Sequence, residues 1–102
     1  MRGSFNFNDK SFAVYGLGLT GKSVVKFLKK NKVNKISTWD DNLFKNNLKL
    51  KKNFGTKLNT VNYIILSPGI NIKKSKFKKL LIKHKKKIIT DLDLFFLKNK
   101  VK

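Results

Sequence analysis

Residues 16–21, Gly16-Leu17-Gly18-Leu19-Thr20-Gly21, fit the pattern G-x-G-x-x-G and stand between an apolar run and an amphipathic one. Before them, Ser11-Phe12-Ala13-Val14-Tyr15 is β-prone and reads as a buried strand. After them the period becomes helical: Val24, Val25, Phe27 and Leu28 share a face that Lys22, Lys26, Lys29 and Lys30 mostly avoid. Each glycine in such a strand–turn–helix has its own reason. The first allows the tight turn, the second lets backbone approach a phosphate oxygen, and the third lets helix and strand pack closely. Free N–H groups at the helix start then face the anion, and the helix dipole adds to the attraction. Gly18, Leu19, Thr20 and Gly21 are therefore candidate phosphate-binding residues, with the Thr20 hydroxyl and the Lys22 charge close by. The same glycines shape tight turns without a ligand in many α/β domains, and the pattern alone does not name a nucleotide.

The rest of the chain extends this beginning into an open sheet. The first helix is predicted to stop near Asn31, and Lys35-Ile36-Ser37-Thr38-Trp39 follows as a second strand, giving one right-handed βαβ unit with parallel strands. Between Asn42 and Asn59 the pattern is least legible. Leu43, Phe44, Leu48 and Leu50 suggest a short helix there, and the neighbourhood of Phe54 a short strand. Tyr63-Ile64-Ile65-Leu66 is a continuous apolar strand halted by Ser67-Pro68-Gly69, where proline lacks a strand N–H and glycine permits the turn. A lysine-studded helix is predicted over Lys73 to Lys86 with Phe77, Leu80 and Leu81 on one face, then a brief strand at Ile88-Ile89. A last helix is expected from Asp91, whose carboxylate suits an N-cap, with Asp93 favouring the positive end of the dipole. That helix is apolar almost all round, at Leu92, Leu94, Phe95, Phe96 and Leu97, so it calls for cover on more than one side and for further chain beyond Lys102. The fold class is α/β: a Rossmann-like open parallel sheet of four or five strands with flanking helices. Met1-Arg2-Gly3-Ser4 matches the start of some expression tags. Residues 1–9 are accordingly read as an N-terminal extension and 10–102 as a single domain.

Composition narrows the partners. With 102 residues and 40% apolar content the chain suits one compact domain with a core. Cysteine is absent, and one histidine with five acids leaves little for a metal centre. No apolar run approaches a membrane span and the start lacks a signal peptide's apolar stretch, so a cytoplasmic domain with no membrane partner is expected. The net charge of +20 invites a nucleic-acid reading, but of 25 basic residues only Arg2 is arginine, the residue that fork-shaped phosphate and base recognition uses most. Abundant asparagine, isoleucine and phenylalanine are what A- and T-rich codons supply, and lysine then serves as the default surface residue. No specific nucleic-acid partner is expected, only weak and salt-sensitive attraction to polyanions.

Three further positions carry possible chemistry. Asp40 ends the second strand, 19 residues after Gly21, where an acid in dinucleotide folds accepts a ribose hydroxyl. An exposed loop carboxylate or an Asx turn is the plainer account of it, and Asp41 is the weaker candidate. Ser67, Pro68 and Gly69 end another parallel strand on the side where open α/β sheets gather ligands, although a plain strand-ending turn explains them equally well. His84, without a partner acid or nucleophile, reads as a helix-surface residue. No catalytic residue and no metal ligand set is found.

Four pieces taken in order carry a resemblance. They are Val14-Tyr15-Gly16-Leu17-Gly18-Leu19-Thr20-Gly21-Lys22-Ser23, Trp39-Asp40-Asp41, Ile65-Leu66-Ser67-Pro68-Gly69-Ile70 and Ile89-Thr90-Asp91-Leu92-Asp93-Leu94-Phe95. Together, from Lys10 to Phe96, the chain resembles the first domain of the Mur ligase family, in the branch that adds D-glutamate to UDP-N-acetylmuramoyl-L-alanine during peptidoglycan synthesis. The resemblance implies a uridine-nucleotide domain followed by a central ATPase domain and a carboxyl-terminal domain, both absent from this chain. It implies ATP and Mg in the full-length enzyme, no cofactor in this domain, and UDP-N-acetylmuramoyl-L-alanine and the remaining ligase domains as partners. By the same resemblance Leu19 and Thr20 lie against the pyrophosphate, Asp40 and Asp41 beside uracil and ribose, and Ser67, Pro68 and Gly69 along the nucleotide. Asn42 stands where arginine often contacts the nucleotide, Lys22 where an apolar residue is common, and Asp93 where glutamate is usual. The competing readings are an NAD(P)-binding Rossmann domain of an oxidoreductase or regulatory sensor, which the glycine loop and Asp40 also suit, and a small basic nucleic-acid-binding protein.

Overall fold

A computed structural model of the chain describes residues 7–100; the tag-like Met1-Arg2-Gly3-Ser4 lies outside the described residues. Four strands, β1 (Ser11–Tyr15), β2 (Lys35–Trp39), β3 (Tyr63–Leu66) and β4 (Ile88–Ile89), form one sheet in the order β2-β1-β3-β4. Every pairing is parallel, with Tyr15 opposite Trp39 on one side and Leu66 on the other. Parallel strands require crossovers, which here contain α1 (Leu19–Lys30), α2 (Leu48–Thr60) and α3 (Lys78–Lys83); α4 (Asp91–Lys100) follows the last strand. The expected Rossmann-like architecture is present, with four strands.

Strand side chains alternate between two cores because successive residues point to opposite faces. Ala13, Tyr15, Trp39 and Ile64 meet Phe54 and Leu58 of α2, Phe77 and Leu81 on one face. Phe12, Val14 and Ile65 meet Val24 and Leu28 of α1 and Leu94 of α4 on the other. The second core reaches back to Phe7, within the stretch read as an extension. It opens a 3₁₀ turn at Phe7–Asp9, stacks on Phe12 at 6.3 Å and meets Phe27 edge-on at 5.8 Å. Burying each such aromatic contributes roughly 1.5–3 kcal/mol.

Three local expectations need correction. Phe54 is helical, not part of a short strand: Leu50, Phe54 and Leu58 form an i, i+4, i+8 stripe, and Asn47 caps α2 by accepting from the Leu50 N–H at 3.0 Å. The helix predicted over Lys73–Lys86 is reduced to α3, flanked by 3₁₀ turns at Ile72–Lys74 and Lys85–Lys87. Asn71 and Ser75 side chains accept from the Lys73 and Phe77 N–H groups, which offers the backbone a local alternative to helix. The cap of α4 is Thr90, not Asp91. Its hydroxyl oxygen accepts from the Asp93 N–H while the Asp93 carboxylate accepts from the Thr90 N–H, each at 3.0 Å, which is a capping box.

Candidate functional site

From β1 the chain crosses one way to β2 and later returns to β3 on the other side, so the strand order reverses between β1 and β3. Ligands of open parallel sheets bind at the carboxyl ends of the strands where that reversal occurs. The glycine loop leaves β1 there and Ser67-Pro68-Gly69 leaves β3 beside it. The Ser67 hydroxyl donates to the Gly16 carbonyl at 3.0 Å, and the Ser67 N–H donates to the Tyr15 carbonyl at 3.0 Å.

The three glycines do different work, and the distances separate them. Gly16 holds the left-handed turn at φ +99° and has no room for a side chain, since a Cβ would meet Ser67 Oγ at 2.7 Å. Gly21 is buried against the turn, where a Cβ would fall 1.7 Å from the Gly16 carbonyl oxygen. Gly18 is the exposed member: its φ is −74°, and a Cβ there would find no atom within 4 Å. It caps α1 with no side chain of its own. The N–H groups of the first turn, at Leu19, Thr20 and Gly21, have no carbonyl of a preceding helical turn to bond to. Leu19 is 90% exposed at this end, an apolar side chain with nothing over it.

Asp40 follows β2 and is committed mainly to main chain. One carboxylate oxygen accepts from the Leu17 N–H at 2.7 Å; the other accepts from the Asn42 and Leu43 N–H groups at 2.9 and 3.1 Å. The Leu17 amide, together with the other two, holds this carboxyl below its ordinary pKa against a smaller opposing effect of burial. Asp40 therefore ties the glycine loop to the loop after β2 and closes its own Asx turn. Asp41 is an exposed residue whose carboxylate is likewise engaged. It accepts from the Trp39 indole N–H at 2.8 Å and from the Tyr15 hydroxyl at 2.9 and 3.1 Å, while Tyr15 Oη lies 2.7 Å from Ser75 Oγ. Burial, reinforced by Asp41, pushes the Tyr15 phenol up to about 12 although the Ser75 hydrogen bond works the other way. An ionised carboxylate has about four acceptor sites. Asp40 accepts from three N–H groups and Asp41 from two donors, the Trp39 indole and the Tyr15 hydroxyl shared between its oxygens, so each carboxylate keeps acceptor capacity.

Tyr15, Trp39 and Ser75 were not singled out from the sequence. The signal was available for two of them: a tyrosine and a tryptophan ending apolar strands each need a partner for the polar tip, and Trp39 stands just before the acids Asp40 and Asp41. Ser75 carried none, because only folding brings it to Tyr15, sixty residues away in sequence.

Gly18, Leu19, Thr20, Gly21, Asp40, Asp41, Ser67, Pro68 and Gly69 are all placed at the carboxyl ends of β1, β2 and β3. Pro68 and Gly69 are exposed in a turn closed by the Ile70 N–H on the Ser67 carbonyl at 3.0 Å. A pocket of about 320 Å³ beside the loop includes Leu17, Lys22, Thr38 and Leu43 in its lining. A larger cleft of about 570 Å³, lined by Ser11, Lys35 and Val61 among others, lies at the opposite, amino ends of the strands and has no phosphate loop. His84 also lies on that side, its Nε2 2.8 Å from Asn59 Oδ1 at the end of α2. Among the described residues, no helix is long and apolar enough to cross a membrane.

Residues 10–90 match the family described as Mur ligase MurD-like, N-terminal domain. The chain is also similar to curated UDP-N-acetylmuramoylalanine--D-glutamate ligases of Francisella tularensis subspecies tularensis, holarctica and mediasiatica. It is 36% identical to each over 99 residues, an alignment that covers 91% of this chain and 21% of theirs. The chain thus spans about a fifth of the length of the curated relatives it matches. No solved structure gives a significant match.

Proposed function

The chain belongs to the family of MurD-like Mur ligase N-terminal domains, and from that membership we propose that it binds the UDP moiety of UDP-N-acetylmuramoyl-L-alanine. The whole protein is then the cytoplasmic, ATP-dependent ligase that adds D-glutamate to this substrate in peptidoglycan synthesis. The observation that carries the reading is the convergence, at the point of strand-order reversal, of an open Gly18, an uncapped helix start and two oriented acids. Backbone N–H groups of Leu19, Thr20 and Gly21 hold the pyrophosphate, and the exposed Leu19 side chain gains cover from the bound nucleotide. Asp40 and Asp41 lie beside uracil and ribose, each with acceptor capacity to offer. Ser67, Pro68 and Gly69 line the other side.

This domain uses no cofactor of its own. Residues 16–23, Gly-Leu-Gly-Leu-Thr-Gly-Lys-Ser, also fit the Walker-type pattern G-x-x-x-x-G-K-[ST], so the assignment of ATP and Mg to the remaining ligase domains rests on family membership, and the 102-residue chain alone is inactive as a ligase. The test is an NMR titration of the labelled chain with UDP, inorganic pyrophosphate and NADH at matched ionic strength, because the lysines attract any anion. UDP should move the amides of Gly18 to Gly21 first, with those of Asp40 to Asn42, and no ATP hydrolysis should be detected. A preference for NADH over UDP would replace this reading with the oxidoreductase one.

A further inference from the structure

We infer that Tyr15 is a positioning residue for the nucleotide site, clamping the loop after β2 to the segment after β3 through its hydroxyl. The inference rests on the proposed UDP reading for its consequence but not for the clamp itself. Proton counting gives the clamp a direction. Asp41 can only accept, so the single Tyr15 hydroxyl proton goes to its carboxylate, at 2.9 and 3.1 Å. The 2.7 Å contact between Tyr15 Oη and Ser75 Oγ must then use the serine proton. Ser75 Oγ in turn accepts from the Phe77 N–H at 3.0 Å. The chain runs from the Phe77 amide through Ser75 and Tyr15 to Asp41, where the Trp39 indole N–H arrives from the other side at 2.8 Å. Every donor in it has an acceptor, and hydrogen bonds aligned in one direction strengthen one another.

The placement makes the clamp relevant to the ligand. Tyr15 is the last residue before the glycine loop, Asp41 lies in the loop after β2, and Ser75 lies beyond Ser67-Pro68-Gly69. One fully buried phenol thus joins the three loops that surround the proposed nucleotide site. Its ring is fixed independently by edge-on contacts with Phe54 at 6.0 Å and Phe77 at 5.7 Å. The hydroxyl can therefore be removed without emptying the core.

Tyr15→Phe and Ser75→Ala each cut the chain, while Ser75→Thr keeps a hydroxyl in it. In the unliganded 102-residue chain, amide hydrogen exchange at 40–43 and 75–77 should quicken by about tenfold in the first two variants and stay near wild type in the third, with strand amides unchanged. UDP affinity should fall by about three- to tenfold in Tyr15→Phe and Ser75→Ala, with no further fall in the double variant, whereas pyrophosphate, held by the glycine loop, should bind all forms alike. Unchanged exchange at these loops in Tyr15→Phe would overturn the clamp whether or not UDP binds. Quickened exchange with wild-type UDP affinity, or equal loss for UDP and pyrophosphate, would overturn the positioning role. A wild-type chain that binds neither ligand would remove the UDP reading, and with it the positioning role, while the exchange data still decide the clamp.

Discussion

Gly18→Ala and Gly21→Ala should fail in opposite ways, because the loop offers a methyl group open space at one position and a carbonyl oxygen at the other. At Gly18 the φ of −74° suits alanine and no atom lies within 4 Å of the new Cβ, so neither strain nor clash arises. The stability cost is that of a poorer helix N-cap, about 1 kcal/mol, or about 4–8 °C in melting temperature. The methyl does stand where a phosphate oxygen must approach the amides of the first turn. Holding that oxygen off by even a few tenths of an ångström lengthens short charge-assisted hydrogen bonds, so UDP affinity should drop at least about tenfold, which is about 1.4 kcal/mol. At Gly21 the Cβ would sit 1.7 Å from the Gly16 carbonyl oxygen, and α1 must move away from the turn. Overpacking against backbone costs about 3 kcal/mol or more, a large part of the about 5–15 kcal/mol that stabilises a domain of this size. Thermal melting by circular dichroism and calorimetric titration with UDP at about 0.15 M salt measure both quantities. A Gly18→Ala protein with normal UDP affinity would remove the loop from the site. A Gly18→Ala protein that melts as low as Gly21→Ala would refute the claim of open space.

Asp40→Ala should weaken UDP and pyrophosphate alike and lower the melting temperature, since Leu17, Asn42 and Leu43 lose their common acceptor; a loss confined to UDP would restore a purely ribose-binding role. Its depressed pKa means that its stabilising effect is complete above the unfolded value of about 3.9 and is lost as pH falls through the folded one. The melting-temperature gap between wild type and Asp40→Asn should therefore be flat above about pH 5 and shrink below about pH 4, and a gap that widens in acid would contradict the assignment. Phe54→Ala, at a buried position against Tyr15, Trp39 and Phe77, should cost about 3–5 kcal/mol by urea denaturation, whereas Leu92→Ala, 72% exposed, should change stability by less than about 0.5. Thr90→Ala removes the hydroxyl half of the α4 capping box and should cost about 1 kcal/mol, with faster amide exchange confined to the start of α4.

Sequence alone determined the elements whose signals are local. β1, β2 and β3 span the residues read as strands, and α1 starts one residue before Thr20 and ends one before Asn31. Those boundaries were readable because glycine, proline and a change of period mark them within a few residues. The glycine loop and the acids after β2 were readable as a candidate site for the same reason. Phe54 was misread because Gly55 and a neighbouring asparagine mask a helical stripe whose stability comes from packing on Tyr15 and Trp39. Only the tertiary structure decided what the two acids do. Asp40 and Asp41 look like free carboxylates in the sequence, yet their partners are the Leu17 amide, 23 residues away, and the Tyr15 hydroxyl, 26 away. Hydrogen bonds between loops depend on which strands become neighbours, and a parallel sheet sets that by crossovers over whole helices, a distance at which no residue pattern in the chain records the pairing.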